Sequence, residues 1–132
     1  MTTTIDPSVT AAVQSAVAAY AQALDSGRTD AIADLFTPDG TAEIVGMAKF
    51  EGREAIRQGF GGFSPEQPQL HMLGNTVITS ATEDEVTATS NLAFFARGET
   101  GWSVQMTGRY DDVLRLHEGR WLFQQRVTTL VP

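Results

Sequence analysis

The run Trp102-Ser-Val-Gln-Met-Thr-Gly-Arg-Tyr-Asp-Asp-Val-Leu-Arg-Leu-His-Glu-Gly-Arg-Trp-Leu-Phe123 decides the fold class. Two long alternating segments meet at His117-Glu118-Gly119, which is the pattern of an antiparallel hairpin. Working backwards, Arg97-Gly98-Glu99-Thr100-Gly101 and Thr82-Glu83-Asp84 punctuate two more such segments. Strands are therefore predicted at about 70–79, 85–96, 102–116 and 121–130. Their short connections suit a meander better than helical crossovers. Strict alternation puts Trp102, Val104, Met106, Gly108, Tyr110 and Asp112 on one face, with Trp121, Phe123, Gln125 and Val127 sharing a face on the last strand. Leu70, Met72, Ile78, Phe95, Leu122 and Leu130 make the opposite faces apolar too, so a cover is expected there, and a second copy of the chain would supply it.

The first third is helical instead. Asp6-Pro7 is a helix start, with aspartate as N-cap and proline at the first helical position. Val9, Val13, Val17, Tyr20 and Leu24 then form one apolar stripe, and Asp25-Ser26-Gly27 ends it with a glycine suited to the left-handed conformation. Thr29-Asp30 is expected to cap a short second helix that buries Ile32, Leu35 and Phe36, and Pro38-Asp39-Gly40 is expected to turn. Short strands at 41–45 and 49–51 flank Gly46, a third short helix covers 52–57, and Gly59-Phe-Gly-Gly-Phe63 reads as a mobile lid. Helices first and a meander afterwards predict an α+β fold: one domain over 1–132, core about 8–130, with the long helix covering a curved antiparallel sheet.

Composition narrows the function. With 42% apolar and 19% charged residues, 132 residues can bury a proper core. The net charge of −7, with Lys49 as the single lysine among nine basic residues, argues against nucleic acid and anionic membranes. The absence of cysteine leaves no disulfide, thiolate nucleophile or sulfur-ligated metal. Two histidines are too few for a histidine-based zinc site. No apolar run is long enough to span a bilayer, and Met1–Pro7 lacks the features of a signal peptide, so a cytoplasmic protein is expected.

Tyr20-Ala-Gln-Ala-Leu-Asp25-Ser-Gly27, Asp34-Leu-Phe-Thr-Pro-Asp-Gly40, Phe50-Glu-Gly-Arg-Glu-Ala-Ile56, Leu70-His-Met-Leu-Gly-Asn75 and Gly108-Arg-Tyr-Asp-Asp112 through Phe123 resemble, in that order, the SnoaL-like branch of the nuclear-transport-factor-2-like superfamily. The resemblance covers about residues 8–130. It implies a cone of curved antiparallel sheet closed by helices around an apolar pocket, usually dimeric. The superfamily includes scytalone and bile-acid dehydratases, ketosteroid isomerase, limonene-epoxide hydrolase, polyketide cyclases and non-catalytic subunits, and fold alone does not choose among them.

The resemblance also names residues. Asp25 and His71 stand where the dehydratases carry a catalytic aspartate and histidine. A carboxylate beside an imidazole holds its tautomer, and the imidazole can remove a proton alpha to a carbonyl and protonate a departing hydroxyl. Without a partner, Asp25 would be a solvated residue at the negative end of a helix dipole. Tyr20 is either a core aromatic or, as in the isomerase, a donor to an enolate oxygen. Tyr110 and Asn75 are candidate substrate contacts, with Gln125 weaker. Phe94, Met106, Trp102 and Phe123 are candidate apolar walls. Arg126 is either a pocket cation or an outer-face interface residue, with the interface slightly preferred. Asp111 and Asp112 cannot both face inward, and Arg109 and Asp111 are expected to pair on the outer face.

The departures are equally specific. Ile44 stands near the isomerase's general base, and Ala96 replaces scytalone dehydratase's second histidine. The epoxide hydrolase's two aspartates around an arginine are not reproduced in register. The expectation is a cofactor-free, metal-free lyase or isomerase of dehydratase type, acting on a hydrophobic oxygenated ring compound. Aldol-type cyclisation is a further enzymatic option. The alternative from another class is a non-catalytic small-molecule-binding or accessory dimer domain.

Overall fold

A computed structural model describes residues 4–131. Of the amino-terminal stretch read above for targeting, Met1–Thr3 lie outside the described residues. Helix α1 (Pro7–Asp25) starts as expected, with the Asp6 carboxylate accepting from the Ser8 amide at 2.8 Å. It ends in a Schellman arrangement: Arg28 N–H donates to the Ala23 carbonyl and Gly27 N–H to that of Leu24, with Gly27 at φ +70°. Helix α2 (Thr29–Ala33) follows at once. Its N-cap is Arg28 and no side chain caps it, so Thr29 lies inside the first turn rather than capping it. Ile32 is buried, but Phe36 already belongs to the next strand.

Strand β1 (Phe36–Ile44) contains Pro38-Asp39-Gly40, the segment expected to turn. It bulges there: Phe36 is level with Phe123 and Thr41 with Gln125. A Cβ on Gly40 would lie 2.9 Å from the Phe123 carbonyl oxygen, which is why the close approach takes glycine. Strand β2 (Ala48–Glu51) pairs back on β1, and helix α3 (Arg53–Phe60) with a 3-10 turn (Gly61–Phe63) crosses the sheet end. The segment expected as a mobile lid is thus largely helical, and Phe60 is buried in the core.

The remaining strands are β3 (Gln69–Leu73), β4 (Val77–Ala81), β5 (Glu85–Gly98), β6 (Gly101–His117) and β7 (Arg120–Val131). The segment expected as one strand over 70–79 breaks at Gly74-Asn75-Thr76. One sheet runs β2-β1-β7-β6-β5-β3, with β4 also on β5; it curves without closing. The fold is α+β, with α1 packed against the sheet. The sheet is mixed rather than antiparallel, because β1 runs parallel to β7. Turn signals fix direction only between strands adjacent in sequence, and these two are the first and last.

Two β-bulges redirect side chains. Phe94 pairs with Met106 but Phe95 pairs with Val104, so Gln105 is an extra residue in β6. Val113 pairs with Gln125 but Leu114 with Phe123, so Gln124 is extra in β7. Its side-chain oxygen accepts from Thr37 Oγ1 at 2.9 Å. Each bulge reverses which residues of its strand face the core.

Candidate active site

Asp25 is the last residue of α1 and has no basic neighbour in that turn. Its compensation comes from β3. Oδ1 lies 2.6 Å from His71 Nδ1 and accepts from Gln69 Nε2 at 3.1 Å, while Oδ2 accepts the His71 backbone N–H at 2.8 Å. Both side chains are about nine-tenths buried, at 13% and 12% exposure. The three contacts hold a carboxylate that the helix dipole alone would disfavour. They also fix the imidazole with Nδ1 toward Asp25, leaving Nε2 as the ring nitrogen available to a ligand. The ring lies against Phe94, with centroids 4.6 Å apart.

His71 lines an apolar cavity of about 150 Å³. Tyr20, Tyr110, Phe60 and Leu92 form its deep end, each no more than 5% exposed. Ile44, Phe94 and Met106 contribute to the walls, and Met47, well exposed, stands at the mouth. Gln69 and Thr128 are the remaining polar residues in the lining. Tyr20 is therefore both core and pocket: its ring meets Phe36, Phe60, Tyr110 and Phe123 edge-on at 5.8–6.4 Å.

Behind the tyrosines sits the arginine for which the sequence leaves pocket and interface open. Arg126, 1% exposed, pairs with Asp112 through Nε–Oδ1 at 2.8 Å and Nη2–Oδ2 at 3.1 Å. Its guanidinium carbon lies 3.6 Å from the Tyr110 ring centroid, 4.3 Å from Tyr20 and 4.5 Å from Phe123. Nη1 is buried without a hydrogen-bond partner. Burial raises the Asp112 carboxyl, with Arg126 pulling the other way. It would lower the guanidinium, but Asp112 and the phenols outweigh it and keep the group charged. Burial also raises both phenols, Tyr110 to about 12 and Tyr20 further, so both are hydrogen-bond donors at neutral pH.

The bulge at Gln124 is what turns Arg126 inward. A signal did exist: Asp112 shares the Met106–Tyr110 face, and a carboxylate on an apolar face needs a cation. Asp111 faces the other way and pairs with Arg109 at 3.0 Å on the exposed side.

Of the other sequence-derived candidates, Trp102 does not line the cavity. The bulge at Gln105 puts it on the outer face, 49% exposed. Phe123 is wholly buried between Phe36, Tyr20 and Arg126, one layer behind the lining. Asn75 accepts the Asn91 amide at 2.9 Å and holds the β3–β4 turn rather than the cavity. Gln69, Phe60 and Met47 were missed. Gln69 precedes the expected strand, and Phe60 and Met47 fall in an expected loop and an expected strand connection.

A profile of the SnoaL-like domain matches residues 8–127. The chain belongs to the SnoaL-like domain family. No curated protein matches its sequence significantly. Solved structures do match. A Catenulispora acidiphila protein in complex with S-DNPA is 28% identical, covering 95% of both chains with a TM-score of 0.84. A provisionally assigned scytalone dehydratase from Novosphingobium aromaticivorans is 20% identical over 95% of this chain and 85% of its own, at a TM-score of 0.82. The beta subunit of a provisionally assigned aromatic-ring-hydroxylating dioxygenase from the same organism is also 20% identical, over 95% and 90%, at 0.82. The last two share the fold alone. Among the described residues of this SnoaL-like chain, no helix is long and apolar enough to cross a membrane, and no three His, Asp or Glu side chains gather as a metal site.

Proposed function

We propose that this SnoaL-like domain is a lyase of dehydratase type that works by general acid–base catalysis on a hydrophobic, oxygenated ring compound. The observation that carries the reading is the 2.6 Å contact between His71 Nδ1 and Asp25 at the edge of an apolar cavity. Nε2 takes the proton alpha to a carbonyl; the ring, now doubly protonated and held by Asp25, returns a proton to the departing hydroxyl, which leaves as water. Tyr20 and Tyr110 donate to the carbonyl oxygen as negative charge develops on it. A well-placed acid–base group is worth roughly 10²–10⁴-fold in rate. Both proton transfers use the same histidine, so the scheme requires no cofactor. The complex of the 28% identical neighbour with S-DNPA agrees with a ligand-binding role for this architecture.

The outer face supports a homodimer. Leu70, Phe95 and Val104 form one cross-strand row there, flanked by exposed Met72 and Trp102. Sedimentation of the native protein and of Val104→Glu tests it: a dimer that becomes a monomer is expected.

The catalytic reading is tested by incubating the protein with hydroxylated ring ketones and following water loss. Turnover by native protein, abolished in both His71→Ala and Asp25→Asn, is the expected result. Equal turnover in either variant would refute the dyad's role.

A further inference from the structure

We infer that the apolar cavity continues into a surface groove at the end of β7, and that its ligand is a neutral ring compound bearing an apolar side chain that lies in that groove. The assignment rests on the reading of the cavity as a ligand site. It names a part of the ligand that the acid–base step does not touch. Unequal strand lengths make the groove. β7 stops at Val131, level with Thr107, whereas β6 starts well before that point, at Gly101. Among the described residues, the 101–106 stretch of β6 is therefore paired on one side alone, with β5. A notch remains where β7 would otherwise continue.

The notch and the cavity share two side chains. Met106 and Leu130 line the cavity, and the same two line the groove, which Val104, Gln105, Thr107 and Val131 complete. Met106 is 39% exposed although it lines the cavity, so the mouth is open on this side as well as at Met47. A ring held at the Tyr20–Tyr110 end can therefore pass a substituent outward over Met106 and Leu130 without displacing a core aromatic.

The chemistry of the groove decides what that substituent is. No charged residue lines it, so a charged chain would find no counterion there. Its two polar side chains already have partners: Gln105 Nε2 donates to Ser103 Oγ at 2.8 Å, and Thr107 Oγ1 to the Val131 carbonyl at 3.4 Å. Neither calls for a polar ligand group. What stays exposed to water is apolar: Val104 at the outer rim, Met106 in the floor and Val131 at the strand end. Covering that surface with hydrocarbon releases the water over it. The ligand is thus divided, with its oxygenated ring beside His71 and the tyrosines and its hydrocarbon chain along the end of β7.

A series of unreactive probes tests the groove. Native protein and Val131→Asp would be titrated with cyclohexanone and with 4-methyl-, 4-butyl- and 4-hexylcyclohexanone, with binding followed by shifts of the Tyr110 and Met106 resonances. In native protein the affinity is expected to rise about twofold per methylene, against about fourfold for full burial. Val131→Asp should bind cyclohexanone as native protein does and lose most of that rise, because Val131 lines the groove and not the cavity. A flat series in native protein overturns the assignment. So does a rise that survives Val131→Asp but disappears in Met47→Asp, which would route the chain over the β1–β2 hairpin. A second copy seated in the groove would show as alkyl probes turning a sedimenting dimer into monomers, and would overturn it too. No part of the series requires turnover. Absence of water loss from hydroxylated ring ketones sinks the catalytic reading and leaves the groove standing, a flat series with cyclohexanone still bound sinks the groove alone, and failure of every probe to bind sinks both.

Discussion

His71 is tied to Asp25 twice, through its ring at 2.6 Å and through its own backbone N–H at 2.8 Å. One carboxylate therefore fixes both where the strand places the histidine and how the imidazole is turned. Gln69, two residues earlier on the same strand, adds a third donor at 3.1 Å. Helix α1 and strand β3 are joined at this point by three hydrogen bonds to one carboxylate.

The tautomer follows from that geometry. With Asp25 accepting, the neutral His71 ring carries its proton on Nδ1. Nitrogen-15 spectra of the ring should show the Nδ1–H form in native protein and a mixture in Asp25→Asn, with turnover on a true substrate falling roughly 10²–10⁴-fold. A native ring already in the Nε2–H form would contradict the contact.

Asp112 and Arg126 behave as a unit. Removing one partner of a buried pair leaves an uncompensated charge, at a cost of about 3–5 kcal/mol. Both Asp112→Leu and Arg126→Met should therefore shift the denaturant midpoint strongly. The double variant Asp112→Leu/Arg126→Met should recover most of the loss in the same melts, but it also removes the cation behind Tyr110. Additive single losses in the double variant would show that the two groups are not coupled.

Alkaline titration isolates the two tyrosines, because the chain contains no others. Burial holds both phenols protonated well past the ordinary value of about 10, Tyr110 up to about 12. For an acid whose folded value is raised, the stabilisation is fully present below the unfolded value and is lost as pH rises through the folded one. Tyrosinate absorbance should thus be absent at pH about 10 and appear only at higher pH, together with loss of the fold by circular dichroism. Half-ionised tyrosine at pH about 10 in folded protein would place a phenol in water.

The two faces of β5 and β6 should respond oppositely to substitution. Trp102→Ser, on the outer face, should leave ligand binding unchanged and alter monomer stability by less than about 0.5 kcal/mol. Phe94→Ala removes the ring against His71 and should cost roughly 1–3 kcal/mol while loosening the imidazole. Thermal melts and His71 linewidths report the two effects. A binding loss in Trp102→Ser would contradict the bulge at Gln105.

Local patterns were legible where local physics decides. Asp6-Pro7 and Gly27 mark the ends of α1 because capping and left-handed backbone depend on a few neighbouring residues. The punctuation after 81, 98 and 117 marks the hairpins for the same reason. Asp25, His71, Tyr20 and Tyr110 could be singled out from family resemblance, and the first two do meet.

Tertiary structure alone decided the rest. Alternation assigns faces only while every residue has a partner, and the unpaired Gln105 and Gln124 each reverse it. One turns Trp102 outward; the other turns Arg126 inward beneath Tyr20 and Tyr110. No local preference places those bulges. They follow from long-range demands: β6 must keep its pairing with both β5 and β7, Thr37 bonds to Gln124, and buried Asp112 needs a cation. The parallel pairing of β1 with β7 has the same origin, since it joins strands about 80 residues apart in sequence. Sequence supplied most of the elements and several residues of the candidate site. The cation behind its tyrosines and the size of its cavity arose only when distant strands paired.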